Sequence, residues 1–160
     1  MGMYISFTAA TTEELDRAVK DPGWADEYVD DLYDSDDDPI PNRPDAGLDK
    51  AWAGLQFLLD ETDVELEFMM DGFLIVEEGT LFGYSVKDVE TVARQLRATP
   101  WERLAEHYDP ERMVEDDVYP RTWDVHDGSL EWLRSTYDEL VEFFGEAADR
   151  GLGAFMTFSF

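Results

Sequence analysis

The sequence predicts an α+β domain in which a small, mainly antiparallel sheet containing both ends of the chain is covered by several helices. Three observations predict it. The opening YISFTAA, at 4–10, sets β-branched and aromatic residues in near alternation, and the closing GAFMTFSF alternates Phe155, Thr157 and Ser159 against Ala154, Met156, Phe158 and Phe160. A period of two marks a pleated strand. Between these ends, apolar residues recur at steps of three and four, the helical period. The chain has 160 residues, 44% of them apolar and 14% aromatic. That is enough for one core, so it reads as a single domain over 1–160, with an acidic helix and loop at about 24–44.

After the first strand, Thr11 and Glu14 have the spacing of a capping box and start a helix that runs to about Lys20. Asp21, Pro22 and Gly23 then form a turn. A second helix is expected from Trp24, on the spacing of Trp24, Tyr28, Leu32 and Tyr33, with Asp26, Glu27, Asp30, Asp31 and Asp34 mainly on its other side. Pro39, Pro41, Asn42 and Pro44 describe an irregular loop over 35–44. LDKAWAGLQFLLDE reads as a core helix beginning near Asp49, with Leu48, Trp52, Leu55 and Leu59 on one face. FLIV and LFGY, on either side of EEGT, are consistent with a hairpin or with two irregular crossings.

Ser85 caps the next helix, whose stripe is Val86, Val89, Val92, Ala93 and Leu96. Thr99 is placed as the following N-cap, with Pro100 at the first helical position; DPERM repeats the Asp-then-Pro start. Leu130, Leu133, Tyr137, Leu140, Val141, Phe144 and Ala148 mark a long last helix. Gly151 stands where a left-handed terminating residue belongs.

Charge narrows the classes of function. Twelve Lys and Arg against 39 Asp and Glu give a formal net charge of −27, which argues against a nucleic-acid ligand, since phosphate binding needs cations. A basic protein is the partner that such a field attracts. Cysteine is absent, so disulfides and thiolate metal sites are excluded. MGMYISF has neither the basic start nor the apolar run of a secretion signal, and no stretch approaches the ~20 apolar residues of a membrane span. A cytoplasmic protein without membrane association is expected.

The acidic run DEYVDDLYDSDDDPIP is the main candidate surface, with Asp30, Asp31, Asp34, Asp36, Asp37 and Asp38 as its partner-binding residues. Asp34, Asp36 and Asp38 fit the first, third and fifth positions of a calcium loop, but the rest of the pattern fails. Pro39 stands where glycine must turn the chain, and Asp45 where a glutamate must close it. No metal site is assigned. His107 and His126 each lack a second histidine at ligand spacing, no nucleophile or phosphate-loop motif occurs, and no catalytic residue or cofactor is assigned. Trp52, Tyr119, Arg121 and Trp123 form a candidate groove, because Pro120 fixes the chain between amphipathic rings and Arg121 can orient an anionic group.

Taken in order, MGM, DKAWAGLQFLL, GYSVKDVETVARQL, YDPERM, VYPRTW and YDELVEFFGEAADRG resemble the bacterial YfbM-like family, a domain of unknown function. The resemblance covers almost the whole chain outside 24–44. It implies a single cytoplasmic α+β domain and brings no activity, cofactor or catalytic residue. Relatives often carry His directly after the helix tryptophan and again three positions later, where this chain has Ala53 and Gln56, which lowers the expectation of catalysis. The functional expectation is a non-catalytic interaction domain with an acidic face. Its alternatives are an enzyme that uses carboxylates on a small molecule, and an acidic decoy or immunity-type inhibitor of a basic or nucleic-acid-binding protein.

Overall fold

The computed structural model describes residues 2–34, 37–125 and 127–160, and of Tyr33 and Asp34 the backbone. Asp36 and His126 lie outside the described residues, as does the side chain of Asp34. The chain runs β1 (Tyr4–Ala10), α1 (Thr12–Lys20), α2 (Pro22–Asp34), β2 (Asp45–Asp49), α3 (Trp52–Leu59), β3 (Phe73–Val76), β4 (Leu81–Tyr84), α4 (Val86–Arg97), α5 (Trp101–Ala105), α6 (Pro110–Glu115), α7 (Ser129–Asp149) and β5 (Gly153–Ser159). The strands form one antiparallel sheet in the order β2-β1-β5-β4-β3. The two ends of the chain therefore pair at its centre, Phe7 opposite Met156 and Thr8 opposite Phe155.

Alternation along these central strands divides the interior in two. Ile5, Phe7, Ala9, Ala154, Met156 and Phe158 belong to the larger core, shared with α3, α4 and α7. Ala10 and Phe155 belong to a smaller core shared with α1, α2, Ile75 and Leu81. Helices thus cover both faces. Phe7 is the hub of the larger core, its ring 5.3 Å from that of Phe144 and 6.2 Å from that of Phe68. Removing such a buried ring costs about 3–5 kcal/mol.

Capping chemistry sets several boundaries. Thr11 and Ser85 each complete a reciprocal capping box, and the Asp109 side chain accepts from the Arg112 amide ahead of Pro110. Gly151 ends α7 with a φ of 68°, a conformation that costs glycine little. Tyr137 ties α7 to the α4–α5 turn through a 2.6 Å hydrogen bond from its hydroxyl to the Thr99 carbonyl.

Three local expectations are corrected. Residues 45–49 are a strand, and the helix expected from Asp49 begins at Trp52. Ala46 and Leu48 alternate with exposed Asp45, Gly47 and Asp49, and pairing with β1 outweighs the helical spacing from Leu48 to Trp52. Thr99 does not cap α5: its hydroxyl donates back to the Gln95 carbonyl at 2.9 Å, and Pro100 is the N-cap. The turn at 21–23 is shorter than expected, because Asp21 accepts from the Trp24 amide at 3.1 Å and α2 starts at Pro22. No helix among the described residues is long and apolar enough to cross a membrane.

Candidate functional site

The acidic segment divides into an outward and an inward part. On α2, Asp26, Glu27, Asp30 and Asp31 are exposed, while Ala25 and Val29 turn into the small core. No Lys or Arg occurs between Lys20 and Arg43. Arg43 itself is consumed inside, with only 4% of its side chain exposed. Its guanidinium forks onto Glu14, Nη1 to Oε1 and Nη2 to Oε2, both at 2.9 Å. It also donates from Nε to Asp38 at 2.8 Å and from Nη1 to the Ala9 carbonyl at 2.7 Å. The Tyr28 hydroxyl donates to Glu14 Oε2 as well. One cation thus joins β1, α1, α2 and the loop before β2.

The electrostatics follow from this packing. Burial raises Glu14, but the hydrogen bonds from Arg43, Tyr28 and the Thr11 amide outweigh it and hold the carboxyl below its ordinary value. Asp38 is lowered chiefly by its hydrogen bond from Arg43. Tyr28 is pushed up to about 12 by burial and by the adjacent Glu14 carboxylate. Two of the chain's many carboxylates, Glu14 and Asp38, are therefore engaged by an internal cation. A lone base in an acid-rich run was the signal in the sequence; its partners, 29 and 5 residues away, were not.

The other candidate residues are scattered over this frame. Asp30 and Asp31 lie on α2, Asp34 is its last residue, and Asp37 is exposed just beyond it. Trp52 and Tyr119 come together, stacked with ring centroids 6.1 Å apart. Both polar tips are spent on Met3: the indole donates to its carbonyl at 3.1 Å, and the phenol oxygen accepts from its amide at 2.9 Å. Trp123 is separate and buried, donating to the Val118 carbonyl at 3.0 Å and stacking on Trp132. Arg121 has a left-handed φ of 72° and a largely exposed side chain 3.8 Å from Asp117. These four residues are not brought to one groove.

Charged side chains line several surface cavities. One of about 300 Å³, between the end of α3 and the α4–α5 region, is lined by Glu61, Asp63, Arg103, Glu106 and His107, among others. Another of about 410 Å³, between β2 and α7, gathers Asp45, Glu139, Glu142 and Glu146. Among the described residues no group of three or more His, Asp or Glu side chains is arranged to hold a metal ion. Gln56 works as a clamp: it accepts from the Phe68 amide at 2.9 Å and donates to the Leu66 carbonyl at 3.0 Å.

Fold and site together define a small α+β domain whose interior polar groups hold its own loops and whose surface is rich in carboxylates. The chain belongs to the family described as Domain of unknown function (DUF1877), whose model matches residues 1–157. Its fold is similar to that of the crystal structure of YfbM from Escherichia coli, a protein of unknown function, with a TM-score of 0.66 at 14% identity over 98% of this chain and 99% of that one. No curated protein matches the chain. The family and the α+β class expected from the sequence are thus those found.

Proposed function

We infer that this domain is a non-catalytic binding module that offers its acid-rich surface to a basic protein. One observation carries the reading: Arg43, the sole base between Lys20 and Lys50, is turned inward onto Glu14 and Asp38. The α2 carboxylates Asp26, Glu27, Asp30 and Asp31 therefore face outward without a base of their own helix or loop to neutralise them. Such a surface steers a cationic partner and selects against anionic ones. The stacked Trp52 and Tyr119 support the same reading indirectly, since their polar tips serve the architecture.

Capture from native lysate at low and high salt, followed by titration of the captured protein, tests this. The comparison is the native chain against the triple variant Asp26→Asn, Asp30→Asn, Asp31→Asn. A basic partner bound at least about tenfold more weakly by the variant, with a shallower salt dependence, supports the reading. Equal affinity for both chains overturns it. A decoy role would use the same surface and would differ in the identity of the captured protein.

A further inference from the structure

We propose that the outer edge of β3 is a docking strand, which takes an extended segment of a partner protein carrying alternating apolar residues and Lys or Arg, and lengthens the sheet by one strand. The proposal rests on the reading of the chain as an interaction domain and adds where and how the partner is held. β3 ends the sheet order, and among the described residues no backbone hydrogen bond beyond the β4 ladder reaches Phe73, Leu74 or Ile75. Of the eight large apolar side chains exposed among the described residues, four fall within 69–74. Met69, Met70, Phe73 and Leu74 are 39, 76, 37 and 54% exposed. They form a run of exposed apolar side chains along 69–74, where single exposed apolar residues need no explanation.

The run is anchored at its start. Phe68, just before it, is anchored in the larger core, and Gln56 holds the backbone on both sides of Glu67. The Asp71 carboxylate accepts from the Glu67 amide at 2.8 Å, and the Met70 and Asp71 amides return to the Glu67 carbonyl. This closed turn keeps Met69 and Met70 pointing away from the core. Methionine suits such a place, because its flexible thioether adapts to different apolar surfaces.

The opposite edge is built differently. β2 carries Asp45 and Asp49 as exposed residues beside its buried Ala46 and Leu48, the charged edge that blocks strand addition. β3 has no charge within it.

Charge selects the occupant. Glu65, Glu67, Asp71, Glu77 and Glu78 are exposed around the run, and no Lys or Arg occurs between Lys50 and Lys87. A second copy would bring its own Asp71, Glu77 and Glu78 against the same acidic rim at the ends of the strand, which disfavours it. A basic, apolar-alternating segment of about four to six residues matches both the strand and its rim.

The probe is a short end-blocked peptide of alternating lysine and valine, titrated into the full chain with isotopically labelled methionine methyl groups. A control peptide has the same charge, with proline in place of valine, so it cannot pair as a strand. Saturable shifts of Met69 and Met70 with the first peptide, weakened at least about tenfold in Leu74→Lys and in Met70→Gln, are expected; Met113 and Met156 in the core should stay still. Equal binding of both peptides overturns the strand edge and leaves the acidic-surface reading standing. Binding of neither overturns both. The same methyl shifts arising from self-association without peptide overturn the choice of partner.

Discussion

Arg43 shows how one side chain organises a region otherwise made of acids. Its guanidinium satisfies Glu14, Asp38 and the Ala9 carbonyl together, in the fork geometry that makes arginine irreplaceable by lysine. Arg43→Met would leave two partly buried carboxylates facing an apolar stem. The expected loss is about 3 kcal/mol at neutral pH, read from urea denaturation. Its pH dependence has a definite sign. Glu14 and Asp38 are held below their ordinary values of 4.5 and 3.8, so their contribution is complete above those values and is lost as pH falls through the lower folded-state ones. The gap between native chain and variant should therefore narrow between neutral pH and about pH 3. A gap that stays constant over that range would show that Arg43 acts through packing alone.

Among the elements, α3 shows packing overriding propensity. Gly54 lies inside this helix, where alanine would ordinarily be better by about 1 kcal/mol. A Cβ there would stand 2.4 Å from Trp123 Cη2 and 3.1 Å from a Leu133 methyl. The indole has no easy retreat, since it is bonded to Val118 and stacked on Trp132. Gly54→Ala is expected to lower stability by about 1–2 kcal/mol in denaturant, and a stabilised protein would refute the close approach. This contact explains why α3, α7 and the segment before α7 lock together. It also accounts for Trp123 as packing, although the sequence groups it with Trp52, Tyr119 and Arg121 as a candidate groove.

For the whole molecule, the dominant quantity is the net charge of −27. Self-repulsion destabilises the compact state and is screened over a Debye length of ~10 Å at 0.1 M salt. Melting temperature should rise steeply with the first additions of salt and then level off. The Asp26→Asn, Asp30→Asn, Asp31→Asn variant should melt higher than the native chain at low salt and converge with it as salt increases. A gain that continues undiminished towards molar salt, where the Debye length is ~3 Å, would mark adaptation to salt in place of a docking surface.

The sequence alone determined the two terminal strands, the capped starts of α1, α4 and α6, the end of α7 and the family, because each rests on near neighbours or on an ordered set of local motifs. It could not decide β2, whose Leu48 fits a helical face as well as a strand until β1 lies beside it. Nor could it decide the fate of Arg43 or Trp52, or the exposure of Met69 and Met70. Hydrogen-bond partners such as Met3 for Tyr119, 116 residues apart, meet only when the sheet closes the chain on itself. Periodicity reports which side of an element is apolar; tertiary packing determines which distant groups occupy the other side, and whether a carboxylate there faces water or a guanidinium.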